Sequence, residues 1–113
     1  MMMVNRHRGE IAATLDGRDW TLCLTLGALA ELEAAFAADD LSDLIARFSS
    51  GKLSAHDMQR IIAAGLRGGG HVVSSDDVAD MRADGGVTGF ARIVSELLTV
   101  TFGTAESDPA PNP

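Results

Sequence analysis

The sequence has little cysteine and little aromatic character. It contains one cysteine, Cys23, no tyrosine, four phenylalanines and one tryptophan in 113 residues. A single cysteine cannot form an internal disulfide, which favours a cytosolic compartment, and the lack of tyrosine excludes chemistry that needs a phenol. Because aromatics are only 4% of the residues while hydrophobic residues are 46%, the core must consist mainly of aliphatic side chains.

Long apolar runs and positive charge are also scarce. No apolar run approaches the ~18 residues needed to cross a bilayer, and the polar start is not followed by the apolar core of a signal peptide. The sequence contains nine Lys and Arg residues and sixteen Asp and Glu residues, which gives a net charge of −7. Such a surface repels nucleic acid and anionic membranes. We therefore expect no nucleic-acid or membrane partner, and instead protein partners in the cytoplasm.

The first part of the chain predicts a β-hairpin. Residues 10–26 alternate between apolar and polar, and Asp16-Gly17 is a two-residue loop of the kind that type I′ turns prefer. Such a loop places Ala13 opposite Trp20, which fixes the register of the two strands. The face expected to pack inward carries Ile11, Ala13, Leu15, Trp20, Leu22, Leu24 and Leu26.

After the hairpin the apolar period becomes that of helices. It predicts helices at about residues 27–38, 41–50, 55–67, 75–83 and 87–102, with Val87 opening the apolar stripe of the last one. Capping boxes, which mark helix starts, are indicated by Ser54 with Asp57 and by Ser74 with Asp77.

These patterns predict one α+β domain, an N-terminal β-hairpin packed on a small bundle of about four helices. The domain is expected to span residues 10–103, after an N-terminal arm at residues 1–9. Residues 104–113 are acidic, Pro-rich and without apolar anchors, which predicts a disordered tail. The predicted core consists of Trp20, Leu22, Leu24, Leu29, Leu32, Phe36, Leu44, Phe48, Ile61, Ile62, Phe90, Ile93 and Leu97.

The stretch GLRGGGH, residues 65–71, raises the possibility of a phosphate loop. A Walker loop needs a Lys and a Ser or Thr after its glycines, with a strand before it and a helix after it. Here the Lys is missing and a helix comes before. Three glycines can form an anion nest in principle, but the context favours a helix terminator and a flexible bend.

No catalytic, cofactor or metal-binding residues are predicted. The three histidines lie far apart and do not have zinc-ligand spacing. Cys23 has no nearby histidine to activate it. The acidic pairs at residues 39–40 and 76–77 stand where helices begin, which indicates capping rather than acid/base chemistry. An enzyme is therefore not expected.

Several segments together resemble one known family. They are NRHRGE, LDGR, LTLGALAELEAAF, DLSDLIARF, GKLSAHD, AAGLRGGGH and DGGVTGFARIVSELL. They are similar to the gene transfer agent family of small phage-tail proteins, which is grouped with the tail assembly chaperones of alphaproteobacterial phage-like tail clusters. The resemblance covers about residues 5–103.

The resemblance implies a non-enzymatic assembly role. A member would bind the tape measure protein and keep it soluble while subunits of the major tail tube protein polymerise around it, in the cytoplasm of the bacterial host. A structural tail or head–tail component that stays in the particle is the alternative. A third reading, a small DNA-binding regulator, draws on the helix-turn-helix pattern of residues 41–66, but the acidic charge disfavours it.

The partner-binding surface is expected on the polar face of the hairpin and around the glycine stretch. An exposed hairpin edge also leaves self-association into a homo-oligomer open. The residues predicted to contact partners are Arg6, Arg8, Arg67, Gly68, Gly69, Gly70 and His71.

Overall fold

A computed structural model describes residues 4–103, with only the backbone described for Arg6. The predicted disorder of residues 104–113 concerns residues outside that range. Within it, a two-stranded antiparallel hairpin and five α-helices confirm the predicted α+β class. A short 3₁₀ turn, Arg6–Arg8, precedes the hairpin. The elements are β1 (Glu10–Leu15), β2 (Arg18–Cys23), α1 (Leu26–Ala35), α2 (Leu41–Ser49), α3 (Ala55–Gly68), α4 (Ser75–Ala79) and α5 (Gly86–Phe102).

The hairpin has the predicted register. Ala13 pairs with Trp20, and the antiparallel pairing extends to the first residue of β1. Both loop residues are left-handed, with φ of 55° at Asp16 and 73° at Gly17. A type I′ turn requires this conformation at both positions, and it matches the right-handed twist of the strands. The local loop chemistry therefore fixes which hairpin face is buried.

The second strand is shorter than predicted. It ends at Cys23, and the predicted place of Leu26 on the packed face is wrong, because Leu26 is the first residue of α1 and is 80% exposed. The reason is a helix cap: the hydroxyl of Thr25 accepts a hydrogen bond from the N–H of Ala28 at 3.1 Å. An N-cap at this position starts the helix before the alternation of the strand has run out.

Two reciprocal capping boxes start α3 and α4, as predicted. The N–H of Asp57 donates to the Ser54 hydroxyl at 3.0 Å, and the Ser54 N–H donates back to the Asp57 carboxylate at 3.0 Å. The same pair of bonds joins Ser74 and Asp77, at 2.8 and 3.1 Å. Each box satisfies two backbone donors that a helix start would otherwise leave without partners.

Helix α4 ends at Ala79, four residues earlier than predicted. The chain that follows is hydrogen-bonded to the hairpin. The Arg82 carbonyl accepts the N–H of Asp16 at 2.8 Å, and the Arg82 N–H donates to the Asp16 carboxylate at 2.9 Å. Ala83 then forms an antiparallel bridge with Leu15. These hydrogen bonds to the hairpin replace those that a longer helix would make.

Helix α3 lies at the centre of the molecule, against the hairpin and helices α1, α4 and α5. Its residues 61–66 are all buried. Predicted core side chains that are only partly buried, and pack against the buried cluster, are Trp20, Phe36, Phe90 and Ile93. Buried ones are Leu22, Leu24, Leu29, Leu32, Leu44, Phe48, Ile61, Ile62 and Leu97.

The predicted stripe of α5 is wrong at its first position. Val87 is 74% exposed, while Val94 and Leu97 further along are buried. Val87 stands in the first turn of the helix, whose N-cap is the left-handed Gly85. The apolar face of α5 therefore begins to pack at Gly89 and Phe90 and not at Val87.

Candidate functional site

The glycine stretch serves close packing as well as the predicted bend. A Cβ at Gly68 would lie 1.9 Å from the Cys23 carbonyl oxygen, and one at Gly69 would lie 2.0 Å from the Thr21 carbonyl oxygen. These two glycines let the end of α3 lie directly on β2. Only Gly70 has a left-handed φ, 97°, so the bend is at Gly70. The prediction of a flexible hinge is wrong for the other two.

The charged side chain beside these glycines is engaged within the fold. The Arg67 guanidinium forms an ion pair with Glu31 of α1, and it also donates to the Val73 carbonyl at 2.9 Å. It therefore ties the end of α3 to α1 and to the following loop. Its predicted contact with a partner stays a prediction.

His71, the last residue of the glycine stretch, contacts the hairpin. Its Nε2 accepts a hydrogen bond from the backbone N–H of Thr21 at 3.3 Å, and its ring meets Trp20 edge-on with centroids 4.9 Å apart. The Thr21 N–H points outward from β2, so His71 and the glycines together cover the outer edge of that strand. The structure thus gives His71 a role in the fold, and a role in partner binding remains a prediction.

The basic residues before the hairpin belong to a compact turn. The Arg8 N–H donates to the Asn5 carbonyl at 2.9 Å, and the Glu10 N–H donates to the same oxygen at 3.1 Å. The side chain of Arg8 is exposed, while that of Arg6 lies outside the described part of the chain. The predicted contact of Arg6 and Arg8 with a partner stays a prediction.

Cys23 has the properties of a structural thiol. Its Sγ lies 3.5 Å from the Arg8 carbonyl oxygen. Burial raises the pKa of the thiol, and the nearby charge of Glu10 raises it further. A raised pKa keeps the sulfur protonated and therefore poorly nucleophilic.

The other candidates for chemistry also have structural roles. The Asp40 carboxylate caps α2 by accepting the Asp43 N–H at 2.9 Å, and Asp77 belongs to the capping box of α4. Among residues 4–103, no group of three His, Cys, Asp or Glu side chains could hold a metal ion.

A broad apolar groove lies between α2, α3 and α5, and none of the predicted partner-binding residues lines it. Helix α2 packs on α1, and an open space of about 1060 Å³ lies among α2, α3 and α5. The sequence indicated this groove only through the many apolar residues of α2 and α5. From the sequence alone, these residues are predicted to be buried in the core. The groove is lined by Ile45, Phe48, Ser49, Gly51, Leu53, Met58, Ala91, Val94, Ser95, Leu98, Thr99, Phe102 and Gly103.

The floor of the groove is aromatic and its rim is polar. The rings of Phe48 and Phe102 lie 6.4 Å apart, and Phe36 meets Phe48 edge-on at 5.4 Å behind them. Ser49 and Ser95 stand at the exposed rim. No ionisable side chain lines the groove, so it is suited to binding an apolar face and not to acid/base chemistry.

The burial of α3 does not support the helix-turn-helix hypothesis. In that reading α3 would be the recognition helix, which must be exposed to enter a DNA groove. Its residues 61–66 are instead buried on all sides of the helix. The fold therefore gives no support to a DNA-binding regulator.

Comparison with known proteins places the chain in a family. No helix within residues 4–103 is long and apolar enough to span a membrane. No curated protein and no solved structure matches the chain. A family model described as "Phage tail tube protein, GTA-gp10" matches residues 8–104, which is nearly the whole fold. The chain therefore belongs to this family of phage-like tail proteins, whose members have a structural or assembly role in the tail.

Proposed function

We propose that the protein is a non-enzymatic tail assembly chaperone, which binds the tape measure protein in the cytoplasm of the bacterial host and assists assembly of the tail tube. The observation that carries the proposal is the apolar groove between α2, α3 and α5. Leaving such an apolar surface exposed to water does not stabilise the domain itself. Exposed apolar surface of this kind commonly marks a binding site for another protein.

The dimensions of the groove suit an amphipathic helix. Along α5 its lining runs from Ala91 to Phe102, about 17 Å at 1.5 Å per residue. Three turns of a partner helix fit that length, so anchors at i, i+3 or i+4, and i+7 could contact Leu98 and the aromatic floor. A tape measure protein is long and helical. Its apolar helix surfaces must be shielded from water until the tube surrounds them.

The charge of the protein supports the same role. A net charge of −7 keeps a complex with an apolar partner in solution through mutual repulsion between complexes. The groove itself carries no acidic lining. Solubility and binding are thus provided by different parts of the surface.

A second contact surface is proposed around Arg8 and Arg67, in line with the sequence prediction. Arg8 is exposed, and Arg67 is half-buried beside Glu31. Replacing both with Ala should lower the amount of tape measure protein that co-purifies, with an unchanged circular dichroism spectrum. Unchanged co-purification would limit the contact to the groove.

Co-expression with the neighbouring tape measure protein tests the proposal. The measured quantity is the fraction of tape measure protein that stays soluble with this protein, compared with an unrelated acidic protein of the same size. We expect solubility and co-purification only with this protein. Equal solubility in both cases would contradict the chaperone role.

The alternative is a structural component that stays in the particle, which the family description favours. Its partners would be tail tube subunits or further copies of this chain. The exposed Ala12 offers a site for such contacts, because its backbone N–H and C=O point away from β2 at the edge of the hairpin. Mass spectrometry of purified particles separates the two roles: a chaperone is absent from them, and a structural component is present at a fixed ratio to the tube protein.

A further inference from the structure

A second, smaller cavity lies beside the groove, between α3, α4 and the first turns of α5. Its volume is about 200 Å³. Met58 lines both the groove and this cavity. On α5 the cavity is lined by Val87 and Phe90, and the lining of the groove begins at the next residue, Ala91. The two spaces therefore adjoin and form one apolar surface along α5, which extends about 22 Å from Val87 to Phe102.

The cavity is closed on its inner side and open at its mouth. Its lining includes Ile62 and Val78, which are buried. Val87 also belongs to the lining but is 74% exposed, and Ala79 of α4 is exposed as well. A partner that covers the mouth would bury Val87, which the fold of the isolated chain leaves in water. Exposed apolar side chains at the mouth of an apolar cavity are typical of a binding site.

The cavity contains one polar group. Of the described residues that line it, Gln59 alone has a polar side chain. Gln59 is half-buried, and its side-chain amide makes no hydrogen bond to any other residue within 4–103. An apolar group over the mouth would remove water from this amide without replacing its hydrogen bonds, which costs free energy. A group with an apolar body and a hydrogen-bonding tip avoids that cost.

The volume and the lining of the cavity suit an aromatic ring. A protein cavity of about 150 Å³ with an apolar lining binds benzene, so a cavity of about 200 Å³ also has room for a polar substituent. The side chains of tyrosine and tryptophan have this form, an apolar ring with one hydrogen-bonding group. Met58 and Met81 lie in the lining, and thioether sulfurs make favourable contacts with aromatic rings.

A second copy of this chain cannot provide such a ring. The sequence contains no tyrosine and a single tryptophan, Trp20. The indole N–H of Trp20 donates to the Leu15 carbonyl at 3.0 Å, within the hairpin. The polar tip of the only candidate ring is thus already bonded in its own fold. An aromatic ring with a free polar tip must therefore come from another protein.

We propose that the cavity between α3, α4 and α5 is a socket for one tyrosine or tryptophan side chain of a partner protein, and that Gln59 binds the polar tip of that side chain. Under the proposed function, on which the identity of the partner rests, the ring belongs to a tape measure helix that lies along α5. It stands about one turn beyond the contacts in the groove. Aromatic anchors in well-packed pockets commonly dominate the binding energy of an interface, so the socket provides sequence specificity that the largely apolar groove lacks.

Titration of the isolated protein with p-cresol and toluene, the side-chain analogues of tyrosine and phenylalanine, tests the socket without any partner. Methyl NMR should show shifts at Met58, Met81 and Val87, and none at Leu26, which is exposed at the opposite end of α3. Gln59→Met keeps the length of the side chain and its helix propensity but removes the amide. It should weaken p-cresol binding at least fivefold and should not weaken toluene binding. Equal losses for both ligands, or an absence of shifts at Met81 and Val87, would overturn the inference.

A pair of variants tests whether the tape measure protein uses the socket. Val87→Asp places a charge at the mouth, and Thr88→Asp places the same charge at the next position, which is exposed and outside the lining of both spaces. Both positions lie in the first turn of α5, where an acidic side chain is favourable, so neither variant should lose stability. We expect Val87→Asp to lower the amount of co-purified tape measure protein at least threefold relative to Thr88→Asp.

The outcomes separate this inference from the proposed function. Equal amounts of tape measure protein with Val87→Asp and Thr88→Asp would overturn the socket as a contact for this partner, while the chaperone role would stand. An absence of co-purification even with the unaltered protein would instead contradict the proposed function. In that case the p-cresol titration decides by itself whether the cavity receives an aromatic ring.

Discussion

Gly69→Ala provides a sharp test of how α3 and β2 are joined. In the structure a methyl group at this position would lie 2.0 Å from the Thr21 carbonyl oxygen. Neither atom is at the end of a flexible side chain, since one is fixed on the helix and the other on the strand. The substitution should therefore force the end of α3 away from the hairpin by about 1 Å or more.

The cost follows from this displacement. Over-packing of a well-packed contact costs typically about 1–3 kcal/mol, and a clash between two backbones belongs at the top of that range. We expect Gly69→Ala to lower the free energy of unfolding by about 3 kcal/mol. For a domain of this size that corresponds to a fall in melting temperature of about 12–24 °C.

Urea denaturation followed by tryptophan fluorescence measures the loss. The protein has a single tryptophan, Trp20, and its ring contacts His71 just beyond the substituted glycine. Gly27→Ala is the matched control, because a Cβ there would be 3.8 Å from the Thr25 hydroxyl, and Ala in a helix is favoured over Gly by up to about 1 kcal/mol. A loss below about 1 kcal/mol at Gly69 would refute the close contact.

Three further predictions follow from other contacts. Leu97→Ala, at a fully buried side chain, should cost about 2–5 kcal/mol in urea denaturation. Burial alone would raise the Asp57 pKa, but hydrogen bonds from Ser54 and the charge of Arg47 lower it. The stabilisation from Asp57 is therefore present at neutral pH and is lost progressively as the pH falls below about 4. Asp57→Ala should thus cost about 1 kcal/mol at pH 7 and less at pH 3. Arg67→Ala should cost less than about 1 kcal/mol, because its ion pair with Glu31 is half-exposed, and a larger loss in thermal denaturation would contradict this.

Features that depend on neighbours in sequence could be predicted. The hairpin register follows from the Asp16-Gly17 loop, since the turn type alone determines which residues face each other. The starts of α3 and α4 follow from serine–aspartate pairs three residues apart. In each case the interacting groups lie within a few residues of one another, so the sequence contains the whole interaction.

Features that depend on contacts between residues far apart in the sequence could not be predicted. The early end of α4 results from Arg82 bonding to Asp16, 66 positions away. The role of Gly68 and Gly69 depends on carbonyl groups of β2 that no local pattern reveals. For the same reason the groove was missed: the apolar residues of α2 and α5 predict burial, but only the relative placement of the helices decides whether a partner provides it.

The measurement that tests the central claim most directly is co-purification of the tape measure protein with two matched variants of this protein. Ala91→Arg places a long charged side chain in the groove, and Thr88→Arg places the same side chain one turn earlier on α5, exposed and outside the lining. We predict that Ala91→Arg lowers the ratio of tape measure protein to this protein at least tenfold, while Thr88→Arg leaves it within twofold of the unaltered protein. Equal ratios for the two variants would contradict the claim that the groove binds the tape measure protein.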